Sequence, residues 1–419
     1  MSFYEAILVH MEAVLAERRP TILQIIPELE TGGAELSTIE IAGAIAAAGG
    51  RALVLSEGGR LAPKISTAGG EFIPFPAATK NPARMLWNAA GIANLIDREG
   101  IALIHARSRA PAWSALIAAR RKKIPFVTTY HGAYGENGRI KKAYNSVMAR
   151  GDVVIANSQY TAALIRARYG TPDEHLRVIY RGVDGHHYDP ARISDNDTEV
   201  LRASWKVSPH QKIILQAARL TAWKGHGTVI AAAKLLKTGG HLNDAVFVLA
   251  GDAQGRDSYR RQLEVEIASA GLADNFRLPG HVEQMTVAFR AAHVAVVASV
   301  EPEAFGRTAA EAQAMCCPVI ATNIGAPPET VRALPFFSNE DRTGWLVPPA
   351  DPAALASALA EALTLEPEAR TTLGRTARAH VLHAFTLEAM RRQTLAVYDS
   401  LLNSELETQY NRGKHETSP

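Results

Sequence analysis

Short runs of aliphatic and β-branched residues alternate along the chain with longer alanine-rich stretches of helical periodicity, the pattern of a parallel sheet wrapped by helices. In the first half the runs predict strands over Ile22–Ile26, Ala52–Leu55, Phe72–Phe75, Ala102–His105, Pro125–Thr129 and Val153–Ala156. The stretch DGHHYDPARISDN (184–196) is polar, rich in turn formers and aperiodic, so it reads as a linker. The pattern then restarts with Ile213–Gln216, Val246–Ala250, Ala295–Ala298 and Val319–Ala321. Two doubly wound domains follow, residues 1–190 and 197–385. Ligands of open α/β sheets sit where strands end, which singles out Gly32, Gly33, Arg107, His131 and Asn157. Phe3, Ile7, Met11 and Val14 recur at helical spacing and predict an amphipathic helical extension over residues 1–19. From Asn403 to 419 the chain is polar and is expected to be a disordered tail.

Composition narrows the class. A chain of 419 residues exceeds one ordinary core, and 47% hydrophobic with 21% charged residues describes a globular protein. A net charge of +3 is too small to suggest nucleic acid. Its distribution is uneven. Residues 1–190 hold 22 Lys+Arg against 17 Asp+Glu, leaving about −2 for the remainder. Arg120, Arg121, Lys122, Lys123, Arg139, Lys141 and Lys142 make most of that excess, either a solvated face or a footing on anionic lipid. The two cysteines, Cys316 and Cys317, are adjacent and build neither a disulfide framework nor a zinc site. No secretory signal or apolar run of spanning length appears, so a cytoplasmic setting is expected.

Candidate chemistry gathers in SVEPEAFGRTAAEAQAM (299–315). Glu303 and Glu311 stand eight apart, one on the loop before a helix and one just inside it, with Phe305, Gly306, Arg307 and Thr308 at the helix start. Unpaired N–H groups there favour an anion. A diphosphate joined to hydroxyl-rich sugars fits such a site; an ordinary helix with a Glu near its positive end accounts for the same residues. Arg219 and Lys224 follow a buried strand, and Gly225 permits close backbone approach. Gly32 and Gly33 start another helix, as an anion site or only a tight turn, and they do not make the dinucleotide pattern GxGxxG.

The segment 299–315 resembles the Glu-x7-Glu signature of retaining family 4 glycosyltransferases of the GT-B fold. Other stretches resemble that family in the same order: IIPELETGGAELSTIEIA (25–42), TTYHG (128–132), RGVD (181–184), ARLTAWKG (218–225), LAGD (249–252) and CPVIATNIGAPPETV (317–331). The resemblance covers roughly residues 20–400. It implies two Rossmann-like domains facing across a cleft, the first on the acceptor side and the second binding a nucleotide sugar. It also implies that the stretch 386–402 crosses back to the first domain.

By the same resemblance, Arg219 and Lys224 hold the donor diphosphate, and Glu303, with amides near Phe305 and Gly306, holds the donor sugar. Glu311 takes the ribose, the Arg307 and Thr308 amides the phosphates, and Gly251, His281 and Val282 flank the base. Gly32 and Gly33 touch the donor, His131 lies near the reaction centre, and His105 and Arg107 face the acceptor. Arg307 stands where the family usually has an apolar residue, and Cys316-Cys317 where it has a small or glycine-containing pair. The implied reaction is hexosyl transfer with retention, from a UDP-, GDP- or ADP-sugar to a glycan or glycolipid acceptor, without metal or other cofactor. HARSRAPAWSALIAARR and TTYHGAY further resemble bacterial members that build lipopolysaccharide core or related envelope polysaccharides, which suits an enzyme peripheral to the inner face of the cytoplasmic membrane. A GT-B nucleotide-sugar epimerase and a two-lobed sugar-binding protein without transfer are the alternatives.

Overall fold

The computed structural model describes residues 19–417 except positions 31, 133, 136, 137, 243, 254 and 256, with side chains to residue 413. The stripe Phe3, Ile7, Met11 and Val14 of the expected extension lies outside the described residues. The chain divides into two compact units. One comprises the chain up to Asn157, Thr161–Ile179 and everything from Glu388; the other comprises Ser158–Tyr160 and Tyr180–Leu387.

The first unit is built on a seven-stranded sheet in the order β3-β2-β1-β4-β5-β6-β7. Its strands are β1 (Thr21–Ile25), β2 (Arg51–Ser56), β3 (Glu71–Pro74), β4 (Ile101–Ala106), β5 (Phe126–Tyr130), β6 (Val153–Ala156) and β7 (Leu176–Val178). Every pairing is parallel. Helices Pro82–Glu99 and Arg109–Lys122 bury Ile92, Ile96, Ala115 and Ala119 against strand residues such as Leu23, Ile104 and Val154. Cover on both faces explains why all five residues of β1 are buried rather than alternately exposed, with Gln24 satisfied by donating to the Thr38 carbonyl at 3.0 Å.

The second unit carries a six-stranded parallel sheet in the order β10-β9-β8-β11-β12-β13. Its strands are β8 (Lys212–Ala217), β9 (Ala245–Ala250), β10 (Phe276–Gly280), β11 (Val294–Val297), β12 (Val319–Thr322) and β13 (Gly344–Val347). The two-residue period of a strand sorts its core into two layers. Ile214, Phe247, Val296 and Ile320 pack on one face; Ile213, Leu215, Val246 and Ala295 pack on the other.

Two expectations about the chain's organisation need correction. The 184–196 stretch is not all linker: Val183 already bridges Thr386, and a helix begins at Asp195, where Ser194 and Asp197 form a capping box. The C-terminal stretch is not a disordered tail. It forms the helix Leu406–Thr417, because Asp399 accepts from the N–H groups of Leu406 at 2.7 Å and Glu407 at 2.8 Å. Leu406 and Tyr410, four apart on one face, are both buried.

Candidate functional site

In both sheets the connections reverse direction beside the first strand, between β1 and β4 and between β8 and β11. Helices leaving these two strands lie on opposite faces, so a crevice opens at their carboxyl ends, and ligands of open α/β sheets bind there. The residues that follow β8 and β11 are those of the ARLTAWKG and SVEPEAFGRT segments.

Backbone contacts fix the two loops to each other. Val300 donates its N–H to the Trp223 carbonyl at 2.8 Å, and the buried Gln216 side chain donates to the Lys224 carbonyl at 2.7 Å. Gly225 adopts φ +74°, and a Cβ there would overlap the Ala298 carbonyl, so the close approach requires glycine. This approach brings the Lys224 ammonium onto Glu303 Oε1. Ser299 Oγ donates to the same oxygen at 2.6 Å, and Thr322 Oγ1 steadies Ser299 by donating to its carbonyl at 2.8 Å. Lys224 Nζ also lies 4.0 Å from the Trp223 ring centroid, a cation–π contact. The pair is sheltered: the Lys224 and Glu303 side chains are 17% and 13% exposed.

Behind Glu303 the chain turns through Gly306 at φ +82° into the helix Arg307–Ala314. The Phe305 side chain is buried among Val183, Ala310 and Phe385, so only its backbone is available to a ligand. Arg307 donates through Nε to Glu311 Oε1 at 2.6 Å, one helical turn on. Its guanidinium therefore holds the Glu311 carboxylate in place, a role not legible in a sequence where it can equally reach solvent. Thr308 Oγ1 points back to the Ala217 carbonyl of β8 at 3.4 Å. Gly251 follows β9, where a Cβ would overlap the Ala218 carbonyl. His281 is exposed and Val282 half-buried just beyond the edge strand β10. Arg219 is exposed beyond β8. Cys317 lies in the core, its thiol pushed up to about 12 by burial.

Gly32 caps the helix Gly33–Ala47 after β1 in the first unit, and a Cβ on it would collide with the carboxylate of Glu35. Glu35, a residue the sequence did not single out, thus places a negative charge at this positive helix end. His131 is half-buried directly after β5. The expectation that His105 and Arg107 face an acceptor is not met by their placement. His105 is wholly buried; its Nδ1 bonds the Tyr398 hydroxyl at 2.7 Å and its Nε2 the Thr129 hydroxyl at 2.7 Å. Arg107, 3% exposed, donates to Ser37 Oγ at 2.5 Å. Burial, reinforced by Arg107, holds His105 well below the usual imidazole range, and burial lowers Arg107 to about 10. Ser299, Trp223 and Glu35 lie within the segments 299–315, 218–225 and 25–42, yet no role was read for them from sequence; for the first two the only signal is adjacency to Glu303 and Lys224.

Residues 31–186 match the family model for Glycosyltransferase Family 4, and residues 197–380 match that for Glycosyl transferases group 1. The crystal structure of a glycosyltransferase from Rickettsia africae is 32% identical, with a TM-score of 0.83 over 93% of this chain and 100% of that one. The Anabaena HepE protein in complex with UDP-glucose has the same fold, with a TM-score of 0.79 at 24% identity over 91% of this chain and 100% of its own. A D-inositol 3-phosphate glycosyltransferase from Corynebacterium efficiens is 30% identical over 61% of this chain, and the match spans only 58% of that relative's length.

Proposed function

The chain belongs to the glycosyltransferases, with a family 4 first half and a group 1 second half, and on that premise we propose that it transfers a hexose, with retention of configuration, from a nucleotide diphosphate sugar to a saccharide or lipid-linked glycan. The observation carrying this reading is the Lys224–Glu303 pair at the carboxyl ends of β8 and β11. A lone buried-side cation and a carboxylate neutralise each other until a donor enters; the diphosphate then takes Lys224, and the sugar hydroxyls take Glu303. Arg219 shares the diphosphate, as a bidentate partner to phosphate. Glu311, held by Arg307, binds the ribose, and the amides of Arg307 and Thr308 meet the phosphates. Gly251, His281 and Val282 flank the base.

In the transfer the bond from sugar carbon to diphosphate oxygen breaks, the acceptor oxygen bonds that carbon from the same face, and the acceptor proton passes to the departing diphosphate. Lys224 and Arg219 offset the charge that develops, which is the work a divalent cation otherwise performs. Neither Glu303 nor Glu311 acts as a glycosidase-type acid or nucleophile, since both are assigned to binding. The enzyme works in the cytoplasm, at the inner face of the membrane, in envelope polysaccharide or lipopolysaccharide core synthesis. The curated relatives' naming for D-inositol 3-phosphate supports a second acceptor class, a polyol phosphate.

Incubation with UDP-, GDP- and ADP-sugars and a panel of glycan and polyol-phosphate acceptors, with NMR of the product, tests the reading. Expected is nucleotide release matched by a glycoside of the donor's anomeric configuration, undiminished by EDTA. Inverted product removes retention, and loss with EDTA shows that a metal does the work assigned to Lys224 and Arg219.

A further inference from the structure

The basic run Arg120–Lys123 is less available than its sequence suggests. Arg120 donates to Asp152 at 2.6 Å, and Lys122 is ion-paired to Asp97. Another surface of the same unit has the opposite character. On the helix Pro82–Glu99, Leu86 is 63% and Trp87 71% exposed, and on the helix Arg139–Asn145, Ile140 is 89% exposed.

A third helix ties both segments together. On Arg109–Lys122, Ser114 Oγ donates to the Met85 carbonyl at 2.9 Å, while the adjacent Trp113 donates to the Tyr144 carbonyl at 3.0 Å. Arg109 adds a bond to Asn145 at 2.8 Å. Leu86 and Trp87 therefore stand on one side of the Trp113–Ser114 turn and the Ile140 helix on the other. The charge around them has one sign. Residues 79–96 contain Lys80 and Arg84 and no acid; residues 131–151 contain Arg139, Lys141, Lys142 and Arg150 against Glu136 alone. Lys80, Arg84, Arg139, Lys141 and Lys142 are all exposed, and none has an ion pair among the described residues.

Large exposed apolar side chains on a soluble unit mark a contact surface. Tryptophan with leucine and isoleucine, ringed by lysine and arginine, matches the interfacial zone of a bilayer, where the indole sits at headgroup level and cations meet anionic lipid. We propose that Leu86, Trp87 and Ile140, with Lys80, Arg84, Arg139, Lys141 and Lys142, form the surface by which this protein docks on an anionic membrane. The inference rests on the proposed lipid-linked acceptor and gives that acceptor a physical route. Leu86 and Trp87 lie in the first turns of a helix, on the rim where the strands end and where Gly32 and His131 emerge. A docked unit presents this rim to lipid-borne substrate. Lys123, at the far end of Arg109–Lys122, lies about 13 Å along the axis from Ser114 and outside the surface.

The test is co-sedimentation of the full chain with vesicles of phosphatidylcholine alone and of phosphatidylcholine mixed with phosphatidylglycerol, at low and high salt. Binding only to the anionic vesicles, weakened by salt, is expected. Trp87→Ser with Ile140→Ser should lower the partition coefficient about tenfold, as should Lys141→Ala with Lys142→Ala. Arg121→Ala with Lys123→Ala should leave it within about twofold. Equal binding to both vesicle types, no binding, or loss on Arg121→Ala/Lys123→Ala instead overturns the inference. Loss on deletion of residues 1–18 with Trp87→Ser/Ile140→Ser unaffected overturns it too. So does a dimer that only Trp87→Ser/Ile140→Ser dissociates, which makes a second copy the occupant. Binding of UDP, GDP and ADP measured alongside separates the two claims: retained without vesicle binding, it sinks the docking surface alone; absent for all three, it sinks the proposed nucleotide-sugar transfer.

Discussion

Glu303 and Glu311 are each held by a cation, yet the two pairs differ in kind. Glu303 is paired across loops, by Lys224 and Ser299; Glu311 is paired one turn along its own helix, by Arg307. Removing the charge of Glu303 should leave free nucleotide affinity unchanged and lower turnover of intact donor roughly a hundredfold, judged from the worth of one preorganised group. Glu311→Gln should instead weaken the nucleotide itself, by about tenfold for a lost charge-assisted bond. Arg307→Leu should follow Glu311→Gln, because the carboxylate loses its holder. Calorimetry with nucleoside diphosphate and with nucleotide sugar reads both effects, and equal nucleotide affinity in all three variants removes the ribose assignment. The motif residues were legible because glycine, arginine and paired carboxylates have few other uses at strand ends. Their partners were not, since a serine four residues before Glu303 is indistinguishable from any loop serine until the loop is folded.

Helices and strands were legible in proportion to their burial. The central strands of both sheets, covered on two faces, read as mainly apolar runs, and their sequence bounds fall within a residue of the structural ones. Three strands were missed, and all are edges: β7 (LRV), β10 (FRLPG) and β13 (GWLV). β7 and β10 are partly exposed and interrupted by arginine or proline, and β13 is only four residues long and opens on glycine, so none shows the long apolar run that two-sided burial imposes. The helix Leu387–Leu402 was legible, but what holds it was not. Tyr398 reaches His105 Nδ1 from 293 positions away. Tyr398→Phe should cost about 1–3 kcal/mol by stranding a buried group, and urea melts should show that loss with nucleotide affinity intact. An unchanged melt would mean that apolar packing of Leu395 and its neighbours suffices. Burial also holds His226 down to about 4, the same mechanism that lowers His293 and His380 to about 4. These rings fold neutral, while in the unfolded chain they charge near 6.5. Stability is therefore full above about pH 6.5 and falls as pH drops toward 4, by about 1 kcal/mol at pH 5.5 for His226 alone. A melting temperature flat between pH 7.5 and 5 would contradict this.

At the scale of the molecule, the same device appears twice. Each unit places a glycine-bearing loop after its first strand and a functional segment after the strand across the switch point, as in β1 with β4 and β8 with β11. In the second unit the device carries Lys224 and Glu303; in the first it carries a glycine turn and a buried Arg107 network. No helix among the described residues is long and apolar enough to cross a membrane. The central claim is that the second unit binds a nucleoside diphosphate through Lys224. Thermal melts of the wild-type chain with UDP, GDP and ADP test it most directly. At 100 times its Kd the correct nucleotide stabilises by about 2.7 kcal/mol, which raises the melting temperature of a chain this long by roughly 3 °C, and Lys224→Ala should lose most of that shift while melting normally without ligand. No shift with any of the three nucleotides, or an equal shift in Lys224→Ala, would contradict the account.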